Sequence, residues 1–202
     1  YLTSMTIDEA IECVRKGFKS KVSEDKALDA EGLVEETNGT TSEILIFPPY
    51  TVLESVADAI DGKHVHYGAQ DLHWEDKGAF TGAISGAQIA DIGCEYVLVG
   101  HSERRNVFGE NEKIIAQKLI AAYRNGLKPM LCVGENLAER EAGKTARIIS
   151  MQLKSALKVI TPEQAEDLAI AYEPVWAIGS GKAATAADAQ EVCHMIREKV
   201  AK

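Results

Sequence analysis

The feature of this sequence that most constrains its fold is a strict alternation of short apolar segments with longer segments of helical periodicity. Apolar runs this short are typical of strands whose two faces are both covered. Their alternation with helices through short connections is typical of a parallel α/β sheet. Two architectures are compatible with this pattern, namely a doubly wound sheet and a (β/α)8 barrel.

The alternation predicts five strands and six helices, and it begins and ends on a helix. The predicted strands cover residues 44–47, 64–68, 96–99, 129–133 and 168–172. The predicted helices cover residues 6–22, 52–60, 84–92, 112–123, 144–157 and 185–200. Residues 23–42 are polar and contain an Asn38-Gly39 turn pair, so they are predicted to form a loose connection. We expect residues 1–202 to form a single domain.

Charge and cysteine usage exclude several classes of protein. The formal net charge of −9 argues against binding to nucleic acid or to an anionic membrane through bulk charge. The four cysteines are widely spaced and form no C-x-x-C pair, which argues against a disulfide framework or a zinc site and favours a reducing cytoplasm. No apolar run reaches the length of a membrane span. The chain begins on Tyr1, so we expect the natural N-terminus to lie upstream.

The first segment with chemical potential is residues 99–105 (VGHSERR), which follow a predicted strand. In parallel α/β folds, binding and catalytic sites lie at the carboxyl ends of the strands. A helix N-terminus disfavours a cation, so His101 is expected to carry a neutral imidazole. Such a ring donates a hydrogen bond to a carbonyl group and shuttles a proton. The competing interpretation is that His101 only caps or packs at a turn.

The second segment begins at Glu173, directly after the predicted strand 168–172. Burial of this carboxylate disfavours its charged form, which suits it to act as a general base. Residues 174–182 (PVWAIGSGK) have the glycine-containing, partly apolar composition of a lid that excludes water from a ligand. Backbone N–H groups near Gly179 and Gly181 are suited to face a phosphate.

Two other interpretations of residues 174–182 remain open. One is an ordinary surface loop. The other is a phosphate-binding P-loop, although Trp176 stands where that motif has its first Gly and Ala183 where it has Ser or Thr.

The third segment is residues 78–82 (GAFTG), at the tip of a long polar loop. An exposed Phe80 on a projecting loop suggests a surface for a partner. The alternative is a loop tip folded onto its own subunit.

These segments together resemble those of the triosephosphate isomerase family. The two most specific matches are residues 96–105 (YVLVGHSERR) and residues 171–182 (AYEPVWAIGSGK), and their separation also fits the family. Further matches are residues 78–82, 131–135 (LCVGE) and 141–144 (EAGK). The resemblance runs from about residue 44 to residue 202.

The resemblance implies a TIM (β/α)8 barrel, present here as an incomplete barrel of about five strands and six helices. It implies a homodimer that interconverts dihydroxyacetone phosphate and glyceraldehyde 3-phosphate, a small phosphorylated triose, without metal or organic cofactor. By position in the motifs, Glu173 is the base and His101 the neutral electrophile. Ser102 and Glu103 support the site, and the Gly179 amide reaches the phosphate.

The resemblance also implies a lid and an interface. The implied lid residues are Pro174, Val175, Trp176, Ala177, Ile178, Gly179, Ser180, Gly181 and Lys182. The implied interface residues are Phe80 and Thr81, at the tip of a loop that enters the partner, together with the ion-pair residues Arg104 and Glu110.

Relative to the family, the chain lacks a first strand ending in Asn-x-Lys and, after Lys202, two further strands with glycine-rich loops. We therefore expect an open, C-shaped sheet and negligible activity for the isolated chain. Three hypotheses remain: part of an active isomerase, a truncated and inactive product that acts at most as a binding or interaction module, and another barrel enzyme acting on sugar phosphates.

Overall fold

A computed structural model of the chain describes residues 21–178 and 183–201. Its strands are β1 (Ile44–Ile46), β2 (Val65–Ala69), β3 (Tyr96–Val99), β4 (Lys128–Val133) and β5 (Ala169–Tyr172). All five pair in parallel in the order of the sequence, β1-β2-β3-β4-β5. This order is that of a barrel and differs from that of a doubly wound sheet, in which the strand order reverses.

Nine α-helices lie within the described ranges. They are α1 (Lys21–Glu36), α2 (Leu53–Ile60), α3 (Gly86–Asp91), α4 (Ser102–Asn106), α5 (Glu112–Arg124), α6 (Leu137–Glu141), α7 (Thr145–Leu157), α8 (Pro162–Glu166) and α9 (Ala186–Val200). Single 3-10 turns cover Tyr50–Val52 and Val175–Ala177. The five strands and the helices predicted from residue 52 onward are confirmed, whereas the helix predicted at residues 6–22 lies outside the described residues except for its last two positions.

The prediction of a loose connection over residues 23–42 is wrong. Helix α1 occupies Lys21–Glu36, and a turn and bend follow it. Ala30 is buried, and the half-buried Leu33 and Val34 pack with it against the cluster that contains Val52 and Val56. Positions i, i+3 and i+4 are enough to form a narrow apolar stripe, and the surrounding Lys, Glu and Ala residues favour helix.

The six predicted helices do not include three short ones of five residues each, α4, α6 and α8, although a helix start was expected directly after His101, where α4 begins. A helix of this length completes little more than one turn and therefore displays no apolar periodicity. What defines α6 and α8 is their start, because Asn136 with Glu139 and Thr161 with Gln164 form reciprocal capping boxes.

The main core lies between the sheet and the helices. On β3 and β4 the alternating residues Val97, Val99, Leu131 and Val133 are all buried in this layer. Leu98 lies between two of them and is only half-buried. Because successive side chains of a strand point to opposite faces, the outer face of the sheet is covered by helices and its inner face is partly open.

The sheet is open at both ends within the described ranges, where β1 pairs only with β2 and β5 only with β4. The expected open sheet of five strands is therefore confirmed for these residues. Across the same residues, no helix combines the length and the apolar character that a membrane crossing requires.

Candidate active site

His101 lies at the carboxyl end of β3, where the chain turns directly into α4. It is the N-cap residue of that helix, and its Nδ1 accepts a hydrogen bond from the backbone N–H of Glu103 at 3.3 Å. Because Nδ1 is an acceptor in this bond, the ring proton of the neutral imidazole resides on Nε2. The α4 cap therefore fixes both the orientation of the ring and its tautomer.

Glu173 lies two strands away, at the carboxyl end of β5. Its backbone N–H donates to the carbonyl of Val133 on β4 at 2.8 Å, so the parallel ladder holds the residue in place. One carboxylate oxygen lies 2.7 Å from Nε2 of His101. The other accepts a hydrogen bond from the backbone N–H of Ser102 at 2.9 Å. The two segments selected from the sequence therefore meet at one edge of the sheet.

The pair is reachable from solvent but partly shielded from it. The side chain of His101 is 31% exposed and that of Glu173 is 16% exposed. Cys132 lies on the neighbouring strand β4 and is buried, and burial together with the nearby Glu173 carboxylate raises the pKa of its thiol far above the usual range. The thiol is therefore neutral and acts as a packing group next to the carboxylate.

Arg105 connects the carboxyl ends of β3 and β4, and the sequence analysis did not select it. Its Nε donates to the carbonyl of Gly100, beside His101, at 2.6 Å. Its guanidinium also donates to the carbonyl of Cys132 at 3.1 Å and to the Glu112 carboxylate at 2.5 Å. One planar, always-charged group thus links β3, β4 and α5 below the site.

The start of the predicted lid is anchored to the segment after β4. Trp176 is buried within the 3-10 turn Val175–Ala177, and its backbone N–H donates to the carbonyl of Glu135 at 3.2 Å. The Arg140 guanidinium lies 4.9 Å from the centre of the Trp176 ring. Ile178, in contrast, is exposed. The lid residues Gly179, Ser180, Gly181 and Lys182 lie outside the described residues.

Glu135, which anchors this turn, is a fully buried carboxylate. It accepts hydrogen bonds from Tyr172 at 3.1 and 3.2 Å, from Thr145 at 3.1 Å and from Arg140 at 3.4 Å. Burial, with Glu135 adding to it, raises the pKa of Tyr172 to about 12, so the phenol remains a donor at neutral pH. A buried carboxylate needs such partners, and here they join β4, β5 and the following helices.

The ion pair expected from Arg104 and Glu110 is present and belongs to a larger cluster. Arg104 lies 2.7 Å from Glu110 and 3.1 Å from Asp71. The buried Lys118 ammonium lies 2.5 Å from both carboxylates. Burial raises the pKa of Asp71, although the charge of Lys118 opposes that shift. The structure therefore places Arg104 and Glu110 in a charge network within one subunit. The exposed Phe108 lies next to this network, with its ring centre 4.2 Å from the Arg104 guanidinium.

The loop tip at residues 78–82 is only partly folded onto its own chain. Phe80 packs its ring 4.2 Å from that of His73 but stays 43% exposed, and Thr81 is exposed. The backbone N–H of Glu103, a residue expected to support the site, donates to His101, whereas its side chain is largely exposed. Among the site residues predicted from the sequence, the structure thus brings His101, Ser102 and Glu173 together.

The fold and this site define a class of protein: a parallel α/β-barrel protein with a carboxylate and an imidazole facing each other at the carboxyl edge of its strands. A model of the triosephosphate isomerase family matches residues 15–202. The chain is 50% identical over 182 residues to a triosephosphate isomerase of Moorella thermoacetica, an alignment that covers 90% of this chain and 73% of that protein. The chain belongs to the triosephosphate isomerase family.

Two further relatives agree with this assignment. The chain is 51% identical over 160 residues to a triosephosphate isomerase of Carboxydothermus hydrogenoformans, covering 79% of this chain and 64% of that protein. It is 48% identical over 157 residues to one of Acetivibrio thermocellus, covering 78% of this chain and 62% of that protein. The chain thus spans less than two thirds of the length of these two relatives.

Proposed function

We propose that the protein containing this chain interconverts dihydroxyacetone phosphate and glyceraldehyde 3-phosphate by proton transfer through an enediolate. The observation that carries the proposal is the direct contact between the Glu173 carboxylate and the Nε2 atom of His101 at 2.7 Å. One group accepts a proton and the other donates a hydrogen bond, and both are needed when a proton leaves a carbon next to a carbonyl group. Membership of the triosephosphate isomerase family supports the choice of substrate.

In the proposed reaction, Glu173 removes a proton from the carbon next to the substrate carbonyl. The N–H of His101 donates to the carbonyl oxygen, on which negative charge develops, and stabilises the enediolate. His101 then moves protons between the two oxygens, and Glu173 returns its proton to the neighbouring carbon. Because the Glu103 N–H occupies Nδ1, the ring presents only its Nε2 side to the substrate.

Substrate binding requires Glu173 to move. At 2.7 Å from Nε2, the carboxylate oxygen occupies the position that a substrate oxygen would take to accept a hydrogen bond from the imidazole. A bound triose must therefore displace the carboxylate from His101 and from the Ser102 N–H at the same time. We propose that residues 174–182, including Gly179, close over the substrate as this occurs and that the Gly179 amide binds the phosphate.

The proposed general base is tested by Glu173→Gln in the full-length gene product. Glutamine keeps the size of the side chain but accepts no proton, so we expect kcat to fall by about 100- to 10,000-fold. Binding of a non-reacting substrate analogue should change far less. Glu54→Gln is the control, because Glu54 is an exposed carboxylate on α2. Near-full turnover by Glu173→Gln in a coupled isomerase assay would refute the assignment.

We also propose that the full-length protein is a homodimer whose interface includes Phe80, Thr81 and the surface beside Arg104 and Glu110. Val107 and Phe108 support this surface, since they are 74% and 65% exposed and lie next to the charge cluster. Adjacent exposed apolar side chains of this size are typical of a contact site.

The described cysteines Cys94, Cys132 and Cys193 are free thiols, which supports a reducing cytoplasmic location.

The interface is tested by the double change Phe80→Glu and Phe108→Glu. We expect charged side chains at both positions to convert the dimer into monomers of reduced activity, because burying them desolvates unpaired carboxylates. Leu28→Glu, at an equally exposed leucine on α1, is the control. If the double variant sediments as the unmodified protein and the Leu28→Glu control do, the proposed interface is contradicted.

A further inference from the structure

Gln152 is a buried polar residue whose hydrogen bonds all go to one backbone unit. It lies on α7, is 6% exposed, and shares its helix face with the buried Ile149 and Leu153. The Gly134 N–H donates to its Oε1 at 3.0 Å, and its Nε2 donates to the Gly134 carbonyl at 3.1 Å. On burial, the carboxamide loses its hydrogen bonds to water, and these two bonds replace them.

Gly134 is the point where the end of β4 touches the backbone of Glu173. A Cβ atom added to Gly134 would lie 1.8 Å from the Glu173 carbonyl oxygen. One residue earlier, the Val133 carbonyl accepts from the Glu173 N–H at 2.8 Å. The two backbones are therefore in direct contact, and the position of the Gly134 peptide determines where the Glu173 backbone lies.

A solvent-open pocket of about 190 Å3 borders this region, and Glu173, Gly134, Gln152, Cys132 and Met151 are among the residues that line it. Because atoms facing a pocket lack protein contacts on that side, packing alone holds them weakly. The two hydrogen bonds of Gln152 then add a specific side-chain restraint on the strand end that supports Glu173, beside the β4–β5 ladder and the Arg105 bond to Cys132.

We infer that Gln152 is a positioning residue for the reaction. By forming hydrogen bonds with both backbone polar groups of Gly134, it determines how close the Glu173 carboxylate lies to His101 and to the substrate carbon. This inference rests on the proposed function for its effect on turnover, but not for its effect on the contact between Glu173 and His101. A displacement of about 1 Å in a reacting group lowers a rate by about 100-fold. Before substrate binds, the carboxylate contacts at 2.7 and 2.9 Å leave little tolerance for such a displacement.

The first test compares Gln152→Met with Gln152→Glu in the full-length gene product. Methionine keeps the length of the side chain and removes both hydrogen bonds, so we expect kcat to fall by about 100-fold with KM changed far less. A protonated glutamic acid has one donor and one acceptor, as the carboxamide does, whereas the carboxylate has no donor for the Gly134 carbonyl. The kcat of Gln152→Glu relative to the unmodified protein should therefore rise as the pH is lowered, while the ratio for Gln152→Met stays constant.

The matched control is Gln117→Met, a half-buried glutamine on α5. It should leave kcat unchanged. A purely structural role predicts a different result: Gln152→Met would lower the unfolding midpoint but leave kcat, KM and the pH ratio of Gln152→Glu as they are. That result would overturn the inference.

The second test does not depend on turnover. The 15N resonance of His101 Nε2 reports its hydrogen bond to the Glu173 carboxylate, and we expect Gln152→Met to shift it toward the value of an unpaired ring nitrogen. If the unmodified protein has no isomerase activity, the proposed function fails, whereas a shifted resonance still supports the positioning role. An Nε2 resonance that is unchanged in Gln152→Met overturns it.

Discussion

Backbone groups do much of the work of arranging the functional side chains at the scale of single residues. The Glu103 N–H fixes the His101 ring, and the Ser102 N–H holds one oxygen of the Glu173 carboxylate. A backbone donor has no side-chain rotamers, so holding a functional group in place costs no further conformational entropy once the chain has folded. The same reasoning extends to Gly134, where two backbones approach each other without an intervening side chain.

Gly134→Ala should disrupt the site through steric overlap. The added methyl group would lie 1.8 Å from the Glu173 carbonyl oxygen, so β4 and β5 must separate at their carboxyl ends. We expect a loss of about 1–3 kcal/mol in the free energy of unfolding, measured by urea denaturation. Gly32→Ala is the control, because no atom lies within 4 Å of the added methyl group and α1 gains a better helix former. Equal stability of the two variants would contradict the close contact.

The sequence indicated the residues that we propose react, but not those that we propose position them. His101 and Glu173 directly follow apolar strands, and the carboxyl ends of parallel strands share one edge, so their proximity could be predicted. In the sequence, Gln152 is one more residue of an amphipathic helix, and Arg105 is one more basic residue of the segment that follows His101. Their partners are backbone atoms on other elements, and only the three-dimensional structure identifies such partners.

At the scale of elements, four of the helix starts within the described residues are defined by reciprocal caps. Ser85, Asn136, Thr161 and Thr185 each form a capping box with the residue three positions later. The box at Thr185 is also tied to the rest of the site, because Asp188 lies 2.5 Å from the Arg140 guanidinium that stacks on Trp176. Helix α9 is thereby linked to the 3-10 turn Val175–Ala177, where the proposed lid begins.

Asp188 should give this link a pH dependence. Hydrogen bonds from Thr185, and then the charge of Arg140, hold the pKa of the Asp188 carboxyl below its usual range. A depressed pKa in the folded state stabilises the fold above the pKa of the unfolded chain, about 4, and this stabilisation disappears as the pH falls through the folded value. The unfolding free energies of the unmodified protein and Asp188→Asn should therefore differ at pH 7 and converge toward pH 3.

The control for this titration is Glu191→Gln on the same helix, at an exposed position. Its difference from the unmodified protein should show no convergence of this kind. A constant gap between Asp188→Asn and the unmodified protein from pH 7 to pH 3 would show that the Asp188 charge does not stabilise α9.

Element prediction succeeded where apolar residues recur over several turns and failed where the evidence is sparse. Helices α5, α7 and α9 span 13 to 15 residues, and their periodicity is unambiguous. Helix α1 was missed because few apolar residues, among them Ala30, Leu33 and Val34, mark its buried side within a polar segment. Its stability depends on packing against α2, a tertiary contact that local sequence does not reveal.

At the scale of the whole molecule, the strand order is that of a barrel wall that is not closed by the described residues. Strand β1 pairs with β2 alone and β5 with β4 alone within residues 21–178 and 183–201. The inner face carries half-buried apolar residues such as Leu98 and Met130. Unpaired strand edges beside an apolar face are templates for association with another chain.

A polypeptide restricted to these 202 residues should therefore self-associate at concentrations on the order of 10–100 μM. Its isomerase turnover should lie more than about 100-fold below that of the Moorella thermoacetica enzyme, because an open sheet does not hold charge-stabilising donors in a preorganised ring. The substitution Leu45→Lys on edge strand β1 or Ala169→Lys on edge strand β5 should reduce the association, whereas Leu28→Lys on α1 should not. Light scattering and a coupled assay measure both quantities. A monomeric polypeptide with full turnover would show that the five-strand sheet is self-sufficient.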